Sequence, residues 1–339
     1  MIKKKLFYLF HLTGLQHILR WQKRNTITVL SLHRISNDKD YFWNPINPST
    51  FEELLKYIIK HYKIISFGDI PFLKKTSSKP FLILSFDDGY YDFYEYALPL
   101  LKKYNLPCNH NIVNECATGN QVIWTQRLNI IFNYCKNNSC NLSFEIEDTK
   151  ISLEPFNGNW MHFYLKIFKT LLKIPKTERL LILSEKEKEF SIVPVCKMMN
   201  WQQIAECAQS SVEIGSHTYT HDVLSTITDI NILQNEIVKS AIEIEKKIGN
   251  KVNILALPNG EGNDKIKEVI KQSGIKNILF VDDKINKIAI VTGNEIKDIY
   301  RINMVQEGFA EMIFRIELFH TKIKKYGRVL HSENWFRKF

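Results

Sequence analysis

The chain has 339 residues, 45% of them hydrophobic and 24% charged, and carries a formal net charge of +10. That balance excludes wholesale disorder and collagen-like repeats, and the length suits one α/β barrel with an insertion. The basic surplus points towards anionic surroundings such as acidic glycans or a membrane surface, but without zinc-finger spacing, an RNP-type motif or a continuous basic helix no nucleic-acid partner is expected.

Residues 1–25 read as an amphipathic helix, with Leu6, Leu9, Phe10, Leu12, Leu15 and Leu19 among cations. His11 interrupts the apolar stretch and no small-residue cleavage site follows, so a signal peptide is not expected. The helix either packs on the domain or anchors it to a membrane surface. The six cysteines form no CxxC pair and are read as reduced thiols, which suggests a cytoplasmic protein, peripheral at the inner membrane only if the first helix is the anchor.

The remainder, 26–339, alternates strand and helix patterns. Residues 27–32 form a β-type run ending at His33, and Ser49 with Glu52 form a capping-box pattern opening a helix that carries Phe51, Leu54, Leu55 and Ile58. A short strand is predicted at 63–67. Residues 81–86 are the clearest buried strand, ending abruptly at Asp87-Asp88-Gly89. A helix over 93–104 and an unusually polar strand over 109–113 follow. Residues 118–198 break the alternation and read as a helical insertion, either a small packed unit or a lid. Then come a helix at 201–208, a strand at 212–215, a long helix from about 228 to Gly249, a strand at 254–257, a helix capped by Asn263, and a strand at 277–281. Such alternation favours a mostly parallel sheet, open or closed.

Reactive groups collect where parallel strands end. Adjacent carboxylates at Asp87 and Asp88 diverge, so one can bind a cation while the other serves as a base. After the strand at 212, Gly215-Ser-His217-Thr-Tyr-Thr-His221 spaces two imidazoles four residues apart, as on one side of a helical turn. Two His and one carboxylate are three ligands for a hydrolytic divalent metal, with one position left for water. Fe(II) would accept the same set, but its oxygenases sit on double-sheet β folds.

Leu84-Ser-Phe-Asp-Asp-Gly-Tyr90 and Glu213-Ile-Gly-Ser-His-Thr-Tyr-Thr-His221 resemble the first two motifs of the polysaccharide deacetylase family, the NodB-homology or carbohydrate esterase 4 group. Leu30-Ser-Leu-His33, Met199-Asn-Trp-Gln-Gln-Ile204 and Leu255-Ala-Leu-Pro-Asn-Gly260 are similar to its leading strand, the helix before the His motif and its third motif. The resemblance runs from about residue 26 to 303, outside much of the insertion. It implies a deformed (β/α)7 barrel and a divalent metal, most often Zn²⁺, held by Asp88, His217 and His221. It also implies Asp87 as general base, and the backbone N–H of Asn259, beside Pro258, as oxyanion donor. The implied activity is removal of N-acetyl groups from an acetylated sugar or oligosaccharide; with no signal peptide expected, a lipid- or nucleotide-linked precursor of surface polysaccharide is the expected carrier.

Two departures stand out. Ala256 occupies the place where many members carry an Arg that steadies the base, and Arg301, in Tyr300-Arg-Ile-Asn303, is expected to supply that charge from another strand. No late Leu-x-His motif is found; His320 and His331 fall in helical or tail segments, so the general acid is unassigned. These gaps keep open an alternative, a degenerate glycan-binding protein of the same fold. His33 and Trp124 are further candidates for the substrate side, each weighed against a packing role. His110 is read as structural.

Overall fold

The computed structural model describes residues 12–73, 77–119, 121–146, 149–153, 159–260, 262–288 and 295–317. Eleven strands are described: β1 (Thr26–Leu32), β2 (Lys63–Ile64), β3 (Phe81–Phe86), β4 (Cys108–Ile112), β5 (Leu142–Ile146), β6 (Thr149–Leu153), β7 (Val212–Ser216), β8 (Ile254–Ala256), β9 (Asn277–Val281), β10 (Asn286–Lys287) and β11 (Lys297–Asn303). Seven of them, in the order β1-β11-β9-β8-β7-β4-β3, pair in parallel and close on themselves through β1 and β3. This closed barrel is the deformed (β/α)7 type expected. Strand β2 adds in parallel to β3, and β10 pairs antiparallel with β1.

Buried on both faces, β1 and β3 are near-continuous apolar runs, as parallel strands under helices require. Leu30, Leu32, Leu82, Leu84 and Phe86 join the core between the barrel and its helices. Each such side chain contributes about 1.5–3 kcal/mol by leaving water. The alternate positions face the barrel axis, and their chemistry changes along it. Ile27, Val29, Phe81, Ile83, Ile254, Leu279 and Ile299 fill the lower end, closed by Ile65, Phe67 and Ile70 from the segment after β2. That floor is pinned by Glu213, whose carboxylate accepts the backbone N–H groups of Phe67 and Gly68 at 2.6 and 2.7 Å. Towards the strands' C-terminal ends the same alternation delivers Ser31, Ser85, Asn109, Asn111 and Arg301, all fully buried.

Helix α1 (Leu15–Gln22) packs on the domain through its cations. Arg20 donates to Tyr57 Oη at 2.6 Å, and both Arg20 and Lys23 pair with buried Glu317, at 3.3 and 3.2 Å. Ile18 and Trp21 are left exposed at 56% and 62%. Residues 1–11 of the predicted N-terminal helix lie outside the described residues, as do His320 and His331. No described helix is long and apolar enough to cross a membrane.

Helix α2 (Pro48–His61) starts earlier than the Ser49–Glu52 pattern suggests. Asn47 caps it by accepting from Ser49 N, and Pro48 supplies a helical φ at the first position. The predicted helix over 93–104 is a π-turn (Phe93–Ala97) followed by α3 (Leu98–Lys103). The 118–198 insertion is mixed, which corrects the all-helical expectation. It holds α4 (Trp124–Asn137), the antiparallel pair β5–β6, α5 (Trp160–Leu171) and α6 (Lys176–Glu189). Leu142, Phe144 and Ile146 alternate with half-buried and exposed residues, a period of two that selects a strand. The insertion has its own aromatic core, which takes in Phe42 from the loop after β1 and Val223 from the loop after β7.

The barrel resumes with α7 (Trp201–Ala208), whose cap Asn200 and Gln203 form a reciprocal capping box. The long helix predicted up to Gly249 is divided into α8 (Ile230–Gln234), a π-turn (Asn235–Lys239) and α9 (Ser240–Ile248). Two further helices, α10 (Asp264–Ile270) and α11 (Phe309–Ile316), complete the shell.

Candidate active site

Strands β1, β3 and β7 end side by side with β4 between the last two, and the loops that leave them carry the polar cluster. Leu32 pairs with Phe86 in register, so His33 and Asp87 emerge as neighbours, with His33 Nε2 3.8 Å from Asp87 Oδ2. Asp88 follows with φ 76°, a left-handed backbone that turns its side chain away from that of Asp87. Its carboxylate meets the His motif instead, with Oδ1 at 3.4 Å from Nε2 of both His217 and His221.

The His motif is a loop, not the helical turn expected from its spacing. Thr218 and His221 have φ 67° and 59°. Side chains replace helix bonds: Ser216 Oγ accepts from Thr218 N, and Thr218 Oγ1 from His221 N, both at 3.1 Å. Glu236, in the second π-turn, accepts both Thr220 N at 2.9 Å and Thr220 Oγ1 at 2.6 Å. Such turns recur at functional sites because they re-aim one helical turn. The imidazoles end edge to face, 4.8 Å between centroids. Asp88, Thr218, His221 and Asn259 are four of the eight described non-glycine residues with positive φ, so backbone strain gathers around this cluster.

The donor set fits a divalent cation. Both oxygens of Asp88 are buried without a hydrogen-bond partner, an expensive state for a carboxylate. Around zinc with tetrahedral ligands at about 2.0–2.1 Å, ligand atoms stand roughly 3.3 Å apart, close to the spacing from Asp88 to the two imidazoles. His217 Nδ1 donates to the Ala256 carbonyl at 2.8 Å, which leaves Nε2 with its lone pair turned towards Asp88. Burial pushes His221 down to about 4, so its ring is neutral at neutral pH. Burial opposes charge on Asp88 too, but the imidazoles of His217, His221 and His33 around it hold it below the usual carboxylate range. Among the described residues, Asp88, His217 and His221 are the group whose ligand atoms converge in this way.

Beside them, Asp87 is held by the polar end of the barrel. Its Oδ1 accepts from Asn111 Nδ2 at 2.7 Å and from Arg301 Nη1 at 2.8 Å. Oδ2 has only longer contacts, with Ser31 Oγ at 3.5 Å and with His33. Burial alone would raise this carboxyl, but Arg301, His217 and His33 outweigh it and keep it well below the ordinary range. Ser85 Oγ accepts from Arg301 and Asn111 at 3.2 Å each and donates to Asn109 Oδ1 at 2.7 Å, tying the cluster into the sheet. Gly215 is required where it stands, because a Cβ there would collide with Asn111 Oδ1.

The structure thus brings Asp87, Asp88, His217, His221, His33 and Arg301 together. Ala256 offers its backbone carbonyl, and its methyl group lies in the apolar interior. Pro258 and Asn259 form a tight turn after β8, with Asn259 at φ 59° and its Nδ2 buried without a partner. Trp124 lies elsewhere. It is 3% exposed, stacks on Phe168 and lies beneath the Arg179 guanidinium, so its ring is spent on the insertion's core and offers no platform to a sugar. His110 is buried edge-on against Phe93, 4.2 Å between centroids. Sequence reasoning missed Ser85 and Asn111, although polar residues at alternate positions of a buried strand were the signal. It also missed Trp43, whose ring stands edge to face with His33 at 4.9 Å.

Residues 180–278 match the polysaccharide deacetylase family, a span that includes the His motif and the Pro-Asn-Gly turn but not Asp87 and Asp88. Comparison with curated proteins finds no match. Among solved structures the chain is similar to the Streptococcus pyogenes deacetylase PplD in complex with acetate, at 15% identity and a TM-score of 0.55 over 86% of this chain and 98% of that one. It is also similar to IcaB from Ammonifex degensii, at 14% identity and a TM-score of 0.54 over 86% and 97%. A third is BC0361, a polysaccharide deacetylase from Bacillus cereus, at 16% identity and a TM-score of 0.53 over 86% and 69%. Similarity to the polysaccharide deacetylase family thus covers residues 180–278 in sequence, and the barrel around that span has the fold of these solved deacetylases.

Proposed function

We propose that this chain is a carbohydrate deacetylase that hydrolyses the N-acetyl group of an acetylated sugar with the help of a divalent cation, most simply zinc, held by Asp88, His217 and His221. The observation that carries the reading is the pairing of two carboxylates in different surroundings: Asp88 lacks any hydrogen bond yet faces two imidazoles, while Asp87, next to it, is fully anchored on one oxygen.

When bound, a cation in this position supplies Lewis acidity, lowering the pKa of a water molecule and polarising the acetyl carbonyl. The protein's own groups do the rest. Arg301 and Asn111 occupy Oδ1 of Asp87, so Oδ2 is the oxygen with capacity to take a proton from the attacking water. A carboxylate kept this ionised is a weak base, so the water must be acidified before Asp87 can act on it. The backbone N–H of Asn259 is the candidate donor to the developing oxyanion. Protonated Asp87 then returns its proton to the departing nitrogen, giving acetate and a free amine. Burial lowers the pKa of His33, which makes it a neutral neighbour of Asp87 and a poor acid. Trp43, against His33, suits an apolar sugar face.

The carrier of the sugar is read from the surface: exposed Leu12, Ile18 and Trp21 and the net charge of +10 support contact with an anionic membrane and so a lipid-linked precursor. The test is acetate release from a panel of N-acetylated oligosaccharides, with and without a chelator. Release should need the cation and disappear in Asp87→Asn with the cation still bound. Release that continues in Asp87→Asn would remove Asp87 from the chemistry.

A further inference from the structure

Asp222 directly follows His221, and its carboxylate is buried. Its partner comes from the insertion and not from the barrel. Arg179, on α6 and fully buried, donates Nη1 to Asp222 Oδ1 at 2.8 Å. The same guanidinium donates Nε to the Leu171 carbonyl at 2.9 Å and Nη2 to the Ile174 carbonyl at 2.8 Å. Leu171 ends α5, so the cation also meets the negative end of that helix. Asp222 Oδ1 accepts the Val223 N–H at 2.7 Å, and Val223 is buried in the insertion's own core.

We infer that the insertion is a fixed buttress of the metal centre rather than a hinged lid, and that Arg179 is a positioning residue which, through Asp222, sets the backbone of His221. Swinging the insertion away would pull a buried cation from its buried anion, a costly separation to repeat in every turnover. His221 has the left-handed φ of 59°, a conformation that persists only where its surroundings enforce it. Arg179 grips the insertion with two of its nitrogens and the residue after His221 with the third. The inference rests on the proposed reading of Asp88, His217 and His221 as metal ligands.

The test measures zinc affinity of the full-length protein, stripped and then titrated against a chromophoric chelator, with the absorption bands of bound Co²⁺ as a second readout. The variants are Arg179→Met, Arg179→Lys, Asp222→Asn and the double variant Arg179→Met/Asp222→Asn, each checked for its fold by circular dichroism. Supporting residues of metal ligands typically contribute about 10–100-fold in affinity. Arg179→Met and Asp222→Asn should each weaken zinc binding by about that factor and shift the Co²⁺ bands, and saturating zinc should restore acetate release. Arg179→Lys, which keeps the charge but cannot serve three acceptors at once, should lie between them and the unaltered chain. The double variant should lose no more than the weaker-binding single one, because the two residues act as a unit. Folded variants that bind zinc as the unaltered chain does, or losses that simply add, overturn the inference. Should Arg179→Met fail to fold, Arg179→Lys and Asp222→Asn decide it by the same measure. An unaltered chain that binds no zinc overturns the metal reading itself, a result distinct from normal binding lost only in the variants.

Discussion

Arg301 Nη1 lies 2.8 Å from Asp87 Oδ1, though 214 residues separate the two in the chain. Register places them: β11 and β3 both flank β1, so their inward side chains meet across the top of the barrel. Arg301→Met is expected to destabilise the fold by about 3–5 kcal/mol, because it leaves a buried carboxylate unpaired. The sign of the pH effect follows from Arg301 holding Asp87 low. Without it the carboxyl rises, the basic form disappears at a higher pH, and the acid limb of the pH–rate profile moves up. An acid limb that stays in place would separate Arg301 from the base.

Removing the cation should be visible in stability as well as in rate. A ligand that binds only the folded state stabilises it by about 2.7 kcal/mol at a hundredfold excess over its Kd. Chelation is therefore expected to lower the Tm, and added zinc to raise it in a concentration-dependent way. Asp88→Ala and His217→Ala should abolish that response. A Tm indifferent to chelator and zinc in the unaltered protein would contradict the assignment.

Gly215→Ala tests the packing beneath the site. The added methyl would collide with Asn111 Oδ1 and come within 3.1 Å of Ile254. Overpacking of this kind costs about 1–3 kcal/mol. Displacing Asn111 also removes a donor from Asp87, so turnover should fall together with the Tm. Replacing Asn111 by Ser in the same chain should recover stability but not rate. Calorimetry and initial rates on the two proteins separate these effects.

His110 gives a pH dependence of stability. Burial lowers it to about 4 in the folded protein, against about 6.5 unfolded. The depressed value means that folding favours the neutral ring. Its contribution is complete above pH 6.5 and is lost as pH falls through 4, up to roughly 3 kcal/mol. His110→Leu, which cannot ionise, should flatten the acid side of the stability curve between those limits. Urea midpoints measured from pH 7 to 4 would show it, and parallel curves for the two proteins would refute it.

Trp43→Ala is expected to raise KM for an oligosaccharide by about tenfold, in keeping with the loss of roughly 1.4 kcal/mol of stacking, while kcat changes little. An equal fall in kcat would mean that Trp43 acts through His33 on the chemistry.

Legibility in the sequence followed periodicity. The runs at 27–32, 81–86 and 277–281 are strands because continuous β-branched and aliphatic residues suit positions buried on both faces, and the carboxylates and imidazoles stood out at their ends. Helix interruptions were not legible: nothing in Asn235–Lys239 marks a π-turn, since its residues are acceptable helix formers and tertiary hydrogen bonds to Thr220 and Tyr219 select the wider turn. The β5–β6 pair was overlooked although Leu142, Phe144 and Ile146 alternate, because the alternation is brief and set among polar residues. The spacing of His217 and His221 suggested a helix, whereas Thr218 and Ser216 hold a loop by side-chain bonds that spacing cannot reveal. Arg179 and Asp222 are 43 residues apart, and no local pattern links them.

The gradient along the barrel axis, aliphatic below and polar above, has a consequence for ionic strength. With hydrocarbon beneath and sheet on every side, Asp87 and Arg301 are screened far less than the cations on the outer surface, which mobile ions bathe. Added salt should therefore weaken the proposed contact with an anionic membrane without loosening the pair at the centre.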